Sequence, residues 1–592
     1  MSGTMDPGAL AARDTKNLSG VNGSATPDDR IAFPHLRDDQ IERARPFGQV
    51  ERVPHGGVLF TPGERSVDFF IILEGEIEIV DDTVLGDDGN PVETVITVHC
   101  QRCFTGELDL FSSRKILVGG RMKGDGAVLR IPRDGFNELI VAEPDIGELV
   151  LRAFIQRRLG LIDHAQGGAL IVGRRDSGDT LRLQRFLRRN SHPHRVLFVD
   201  GPDQGEAEAV LAHHGVEVDE LPLVVCPGDV PMRAPNNAEV AQCLGLTEDP
   251  VPGLVYDTVV VGAGPGGLAA AVYGASEGLS TLILESEAPG GQAGTSSRIE
   301  NYLGFPTGLS GQELAGRAMV QAQKFGATLT LPRRVAGLES GTGDDGRRQY
   351  TLTLDCGERI LTRTAVVATG ARWRRLGLDG AERFDGRGIH YAATTVEAEL
   401  CRESEVIVVG GGNSAGQAAV FLAGQVKHVY MLVRGESLAA SMSDYLIQRI
   451  DRSSNIDLLR RTEISGLSGD GWLETVRWRN KDSGEEIEHA IPHVFLMIGA
   501  MPNCDWLDGV VCRDERGFIV TGAALEGMDA RSEHCRSEAL KWPLDRPPYA
   551  HETSLPGIFA VGDVRSGSVK RVASAVGEGS VAISDVHRAV RE

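Results

Sequence analysis

Tyr256-Asp-Thr-Val-Val-Val-Gly-Ala-Gly-Pro-Gly-Gly-Leu268 is the stretch on which the reading of this chain turns. Val259, Val260 and Val261 form a β-branched run of the kind that makes a buried parallel strand. The run breaks into Gly262-x-Gly264-x-x-Gly267, which includes Pro265 and Gly266, and passes into an Ala-rich helical pattern from Leu268 to Glu277. Gly262 permits a tight turn, Gly264 lets the backbone approach a pyrophosphate, and Gly267 lets helix and strand pack closely. The helix N-terminus then presents N–H groups and a positive dipole end to phosphate. A second apolar run, Thr281 to Leu284, ends at Glu285. That is about 20 residues after the first glycine, where an acid can bind a ribose hydroxyl. Strand, turn, helix, strand and acid in this order predict a dinucleotide site; the competing reading is a glycine-rich structural turn.

At 592 residues the chain is long enough for about four domains. A hydrophobic fraction of 41% and a charged fraction of 24% are those of a soluble globular protein. A net charge of −22 argues against nucleic acid and anionic membrane surfaces as partners. No uncharged apolar run approaches the length of a membrane span. The segment from Met1 to Asp28 lacks the apolar core of a signal peptide. Nine scattered cysteines suit a reducing cytoplasm better than a disulfide scaffold.

Residues 1–32 are rich in Gly, Ser, Ala and Asp and read as a disordered tail. Over 33–163, short strands (Val58–Phe60, Phe69–Leu73, Glu76–Ile79) separated by turn residues predict a small β-roll, followed by a helical stretch from Glu138 to Ile162. Gly57 to Gly63, Phe70 to Glu76, and Phe104-Thr-Gly-Glu107-Leu resemble the cyclic nucleotide-binding domain family. The resemblance implies that Gly106 and Glu107 open a phosphate-binding cassette, with Arg114 as a further candidate ligand. The place of the family's phosphate arginine is taken by Ile116, with Arg114 and Arg121 nearest. An arginine matters there because a bidentate charge-assisted pair is what holds a buried phosphate. The alternative is a β-roll kept as a regulatory or dimer-forming module. Cys100-Gln-Arg-Cys103 has the spacing of a redox dithiol, but it follows a strand instead of opening a helix and reads as a chance pair.

Residues 168–250 alternate strand and helix patterns: Ala169–Gly173, a helix to Arg189, Arg195–Val199, Glu206–His213, Leu221–Cys226, and Asn237–Leu244. Pro222 at the start of the third strand and the closing helix resemble the thioredoxin/glutaredoxin fold, in which this proline is cis. No cysteine stands after the first strand, where Gly173 to Asp179 lies. The resemblance covers the fold but not its redox chemistry, leaving docking or a structural linker as readings.

The C-terminal part carries five ordered motifs: the opening glycine turn; Pro289 to Pro306; Ala365-Val-Val-Ala-Thr-Gly370; Val406-Ile-Val-Val-Gly410-Gly-Gly412-Asn-Ser-Ala415 with a helix from Gln417 to Leu422; and Gly557-Ile-Phe-Ala-Val-Gly-Asp563, followed by Lys570-Arg-Val-Ala573. This set resembles the low-molecular-weight thioredoxin reductase family over residues 254–592. The implied fold class is multidomain: an N-terminal β-roll, a thioredoxin-like α/β unit, and two Rossmann-like FAD- and NAD(P)-binding α/β domains. The FAD domain would comprise 254–370 and 505–592, and the NAD(P)H domain 371–504. The resemblance places Gly262, Gly264, Pro265, Gly266, Gly267 and Glu285 on FAD, with Gly291, Gln292 and Asn301 at its flavin end. Thr369 and Gly370 lie beside it, Gly562 and Asp563 take a ribityl hydroxyl, and Arg571, Val572 and Ala573 face the pyrimidine edge, where a helix N-terminus stabilises negative charge. Gly410, Gly412, Asn413, Ser414 and Ala415 would hold the nicotinamide cofactor. Val433 and Arg434 stand where an acid would select NADH, so NADPH is favoured, although two of the family's three basic residues are replaced.

The family's Cys-Ala-Thr-Cys is the main departure. Here Ala392 and Thr395 fill both cysteine places, and neither can form a thiolate. No catalytic side chain and no metal ligand is assigned. The expected function is an FAD-dependent oxidoreductase moving hydride from NAD(P)H to FAD and on to an unidentified acceptor, gated by the N-terminal unit, in a cytoplasmic homodimer. Rival readings are a disulfide reductase using Cys100 and Cys103 or a partner's dithiol, and a flavin-binding redox sensor.

Overall fold

A computed structural model describes residues 31–592 apart from 66, 82–92, 107, 112–113, 165–167, 228–229, 297, 528–534 and 536–541. Of the tail expected over 1–32, residues 1–30 lie outside the described residues. Ile31 and Ala32 do not belong to a tail, because Ala32 is buried and its carbonyl accepts from Arg157 Nε at 2.9 Å.

The β-roll sheet runs Gln49–Val53, Gly119–Ile131, Phe69–Asp81, Thr94–His99, with Val58–Phe60 also on Gly119–Ile131. The two short strands expected on either side of Glu74-Gly75 are one strand, Phe69–Asp81. Gly75, at φ +84°, lets the chain shift register there without ending the strand. The single helical stretch expected from Glu138 is two helices, Arg133–Ala142 and Pro144–Asp163. Pro144 causes the break: it cannot continue a helix from the residue before it, and it opens the next one at N1.

The next unit has the order strand, helix, strand, helix, strand, strand, helix. Its sheet runs His194–Phe198, Ala169–Gly173, Leu223–Cys226, Val230–Arg233, the first pair parallel and the others antiparallel. The Leu221–Pro222 peptide is cis, as the thioredoxin-like resemblance implies. The strand Val230–Arg233 was not anticipated from sequence; it is an exposed edge with proline inside it. The reading of the nine cysteines as too scattered for a disulfide scaffold meets two disulfides, Cys226–Cys243 and Cys512–Cys535, with Cα atoms 6.5 and 4.5 Å apart. In the first pair, the closing helix Asn237–Cys243 folds back on the strand that ends at Cys226, a contact that sequence spacing does not reveal.

The C-terminal part builds two nucleotide-type sheets. The first runs Thr328–Thr330, Thr281–Leu284, Val255–Val261, Arg359–Val367, Arg348–Leu354, Val335–Thr342, with Ile558–Ala560 also pairing Arg359–Val367. Its parallel core is covered by the helices Pro265–Ser276, Gly311–Lys324 and Val572–Ala589, which is why its strands read as continuous apolar runs. The helices Pro265–Ser276 and Val572–Ala589 meet at glycine: a Cβ on Gly579 would lie 2.1 Å from the Gly266 carbonyl oxygen. The second sheet, Ile389–His390, Val494–Leu496, Glu405–Val409, His428–Val433, Ile456–Arg460, is wholly parallel. Two short antiparallel strands, Ala371–Trp373 and Ala500–Pro502, join the units. One continuous apolar core runs from the β-roll through the thioredoxin-like unit into the first nucleotide unit. No described helix is long and apolar enough to cross a membrane.

Candidate nucleotide sites

The turn after Val261 has the geometry its glycines require. Gly262 takes φ +104°, and a Cβ there would sit 2.5 Å from the Ala368 carbonyl oxygen. A Cβ on Gly267 would sit 1.9 Å from the Gly262 oxygen, so strand and helix touch through bare backbone. Gly264 differs: a Cβ there would have no protein atom within 4 Å. That open space lies at the N-cap of the helix Pro265–Ser276, whose first N–H groups have no partner inside the helix. Glu285 closes the turn by accepting from the Ala263 N–H at 2.7 Å and the Glu287 N–H at 2.8 Å. Burial pushes its carboxyl above the usual range, and the two backbone bonds oppose that shift.

Other groups gather round this turn. Gly291 comes close to it, since its Cβ would lie 3.2 Å from the Gly264 Cα. Gln292 donates to the Ala371 carbonyl and ties this loop to the inter-unit strands. The Thr369 hydroxyl oxygen is buried with no hydrogen-bond partner among the described residues. Gly370, at φ +62°, follows it into the strand Ala371–Trp373. Gly562 and Asp563 form a short turn after Ile558–Ala560, and burial raises the Asp563 carboxyl. Arg571 caps the 18-residue helix opened by Val572 and Ala573. An open cradle at Gly264 and an unpartnered oxygen on Thr369 fit a bound dinucleotide, whose phosphates and hydroxyls supply the partners these groups lack. Asn301 is exposed on its loop; its neighbour Glu300 pairs with Arg449 of the second unit at 2.8 Å.

The second turn repeats the pattern. Gly410, at φ +143°, packs so that a Cβ would be 2.3 Å from the Met497 oxygen, while a Cβ on Gly412 would meet the Ser441 oxygen only at 3.9 Å. Gly412 caps the helix Asn413–Ala423, so the helix begins at the turn and not at Gln417 as expected. Asn413 Oδ1 accepts from the Ser443 N–H at 2.7 Å, Ser414 is exposed and Ala415 is buried. Arg434 is exposed just past the strand His428–Val433. Sequence reading missed Arg460, which ends the adjacent strand in register with Val433 and is also exposed. Only the strand order brings these two arginines to one sheet edge; their separation in sequence carries no signal.

At the place of the absent dithiol, Thr394 caps the helix Thr395–Leu400 and Ala392 precedes it. Glu397 is buried; its Oε2 accepts from the Thr394 N–H at 3.0 Å, and its Oε1 from Arg185 Nε of the thioredoxin-like unit at 2.6 Å. His390 Nε2 and His493 Nδ1 lie 3.2 Å apart beside it, and burial holds both rings well below their usual pKa, to about 4 for His493. Cys401 is fully buried, and burial pushes its thiol far up, away from the thiolate form.

In the β-roll, Gly106 lines a cavity against the helix Pro144–Asp163, and Glu107 lies outside the described residues. Arg114 does not join Gly106 there. It is buried, with Nη2 3.8 Å from the Met319 sulfur of the first nucleotide unit. Cys100 and Cys103, read from sequence as a chance pair, have sulfurs 3.4 Å apart and both lie 3.9 Å from ring nitrogens of His35. Burial pushes the Cys103 thiol up to about 12.

Residues 256–534 match the pyridine nucleotide-disulphide oxidoreductase family, and residues 50–143 match the cyclic nucleotide-binding domain. A thioredoxin reductase of Listeria innocua is 30% identical over 342 residues, 57% of this chain and 95% of that protein. A thioredoxin reductase of Treponema pallidum is 32% identical over 328 residues, 55% of this chain and 94% of its own length. The solved structure of Lactococcus lactis thioredoxin reductase aligns with a TM-score of 0.49 at 28% identity, over 57% of this chain and 99% of that one. Two glycine turns, each following a parallel strand, in a chain that spans nearly the whole of the Listeria protein, place this protein in the thioredoxin reductase family of pyridine nucleotide-disulphide oxidoreductases, with a cyclic nucleotide-binding domain at its N-terminal end.

Proposed function

We propose that this protein is an NAD(P)H-dependent FAD oxidoreductase whose electrons leave to an acceptor other than a dithiol in its second nucleotide unit. The observation that carries this reading is the contrast between two well-formed glycine turns and a dithiol place filled by Ala392 and Thr395. FAD, when bound, supplies hydride acceptance from the nicotinamide and onward electron transfer. The chain's own groups hold it: the Gly262–Gly267 turn and its helix N-terminus take the pyrophosphate, and Glu285 a ribose hydroxyl. Asp563 takes a ribityl hydroxyl, and the N–H groups of Val572 and Ala573 take the pyrimidine edge. An external redox protein, a quinone or oxygen would accept the electrons, in a homodimer.

We infer that the N-terminal unit gates this chemistry, and its contacts with both neighbouring units support that reading. Lys115 and Arg114 of the β-roll touch its two neighbours: Lys115 Nζ donates to the Cys243 carbonyl at 2.9 Å, and Arg114 reaches Met319.

Anaerobic stopped-flow mixing with NADPH and with NADH tests the reading. Flavin bleaching within seconds is expected; a flavin that stays oxidised for minutes would favour a flavin-binding sensor instead. Reoxidation with oxygen, quinone and thioredoxin in turn then identifies the acceptor class.

Cofactor choice follows from Arg434 and Arg460. Charge-assisted hydrogen bonds to a phosphate are the strong kind, so Arg434→Ala with Arg460→Ala should raise KM for NADPH by about tenfold to a hundredfold. KM for NADH should stay unchanged. Equal effects on both cofactors would show that these arginines do not read a 2′-phosphate.

A second reading, disulfide reduction through the chain's own thiols, is favoured by the short distance between Cys100 and Cys103. Cys100→Ser with Cys103→Ser separates the two. Under the first reading, steady-state turnover with every acceptor is unchanged; loss of thioredoxin or disulfide reduction alone would establish the second.

A further inference from the structure

The cavity between the β-roll sheet and the helix Pro144–Asp163 has a volume of about 380 Å³, within the range of small-molecule sites. Its walls are mainly apolar, with Phe33, Phe60, Ile79, Leu110, Ile116 and Leu161 among them. Four polar side chains break this surface, Thr97, His99, Gln156 and Arg157. Thr97 and His99 stand two residues apart on the strand Thr94–His99, and are 5% and 4% exposed. Their Oγ1 and Nδ1 atoms are buried and have no hydrogen-bond partner among the described residues. Native interiors rarely leave such atoms unpaired, because desolvation without a bond is costly.

The position of the family's arginine offers no cation to a cyclic phosphate. Ile116 lines the cavity where the family places its arginine. Arg114 turns away to Met319, and Arg121 pairs with Glu78 at 3.0 Å. Arg157 is the one guanidinium lining the cavity among the described residues. Its Nε and Nη1 donate to the carbonyls of Ala32 and Gly106 at 2.9 Å, and its plane lies 4.8 Å from the Phe104 ring. Those two bonds and the ring contact hold it against the wall. Burial and the nearby Arg157 charge hold the His99 ring well below its usual pKa.

We propose that this cavity binds a neutral, mainly apolar ring compound bearing a hydroxyl, a phenol or cyclic alcohol, held by Thr97 and His99. A hydroxyl both donates and accepts, so it satisfies Thr97 Oγ1 and His99 Nδ1 whichever ring nitrogen carries the proton. The apolar body replaces water against the phenylalanine and leucine walls.

The test is calorimetric titration of the full-length protein with 2-naphthol and, separately, with cyclic AMP. Saturable one-site binding of 2-naphthol is expected, with no saturable heat from cyclic AMP at millimolar concentration. Thr97→Val should weaken 2-naphthol by about threefold to tenfold, the worth of one neutral hydrogen bond. It should also raise the Tm of the unliganded protein, because an unpaired buried hydroxyl is removed. Leu110→Trp should abolish binding by filling the cavity. If Leu110→Trp does not fold, Thr97→Val, which keeps the side-chain shape, decides alone. No binding of 2-naphthol, equal binding to wild type and Thr97→Val, or saturable cyclic AMP binding would each overturn the proposal.

Discussion

Gly264→Ala should yield a folded protein that purifies without flavin, whereas Gly267→Ala should lose both flavin and stability. The two substitutions add the same methyl group within one turn of chain, and the structure separates their consequences. At Gly267 the new Cβ would lie 1.9 Å from the Gly262 carbonyl oxygen and 3.1 Å from the Ala368 Cβ. Both neighbours are fixed by the parallel ladder, since Gly262 N–H donates to the Leu284 carbonyl at 2.8 Å and Ala368 N–H to the Val261 carbonyl at 2.8 Å. Relief requires the helix to move off the sheet, and overpacking of this kind costs about 3 kcal/mol. At Gly264 the backbone is extended, at φ −70°, which alanine adopts freely, and no protein atom lies within 4 Å of the added methyl. The methyl occupies only the space that the pyrophosphate would approach. Thermal melting and the ratio of flavin to protein absorbance measure the two effects. Gly264→Ala should keep the wild-type Tm and lose FAD affinity by about a hundredfold or more, the worth of two or so charge-assisted bonds. Retained flavin in Gly264→Ala would move the pyrophosphate away from this turn.

These turns were legible because their constraint is local. Backbone approach and left-handed φ angles leave glycine as the residue that fits, and the spacing of three glycines records both. The same holds for Ala392 and Thr395: a missing sulfur is visible as soon as the motif is laid along the chain. What could not be read depends on which strand lies beside which. Arg460 joins Arg434 because the strand Ile456–Arg460 takes the outer place in a parallel sheet, with Val433 and Arg460 in register. Cys226 and Cys243 meet because a helix folds back on a strand. Arg114 looked like a cassette ligand because it lies near Gly106 in sequence, yet it is turned to Met319 by the packing of the β-roll on the first nucleotide unit. The break at Pro144 is a different case: the proline was in view, and the apolar pattern running through it outweighed a stop signal that the chain obeys.

The thioredoxin-like unit has no redox cysteine after its first strand, and its contacts give it another role, from which a second large effect is expected. Its helix Gly178–Arg189 touches both nucleotide units. On the first unit, Arg189 pairs with Glu287 at 2.6 Å and donates to the Gly291 carbonyl at 3.2 Å. On the second, Arg185 pairs with Glu397 at 2.6 Å, where the carboxylate is 3% exposed. Elsewhere the units are joined by the two short strands Ala371–Trp373 and Ala500–Pro502 and by the Glu300–Arg449 pair. That last pair is half-exposed on its arginine side and contributes little. Arg185–Glu397 ties the thioredoxin-like unit to the second nucleotide unit through a buried carboxylate. Arg185→Ala strands a buried carboxylate with the Thr394 cap as its remaining partner, and loss of one member of a buried pair costs about 3 kcal/mol. A clear drop in Tm is expected. Arg185→Met combined with Glu397→Gln removes both charges, and stability should return toward wild type because no buried charge is left unpaired. The double variant then isolates the clamp from the stability effect. If the two nucleotide units rotate to serve the nicotinamide and the acceptor in turn, as the family resemblance implies, a fixed helix across both slows that rotation. Turnover of the double variant with an external acceptor should rise severalfold while KM for the nicotinamide stays constant. Unchanged turnover at wild-type Tm would mean that the helix braces the units without limiting their motion.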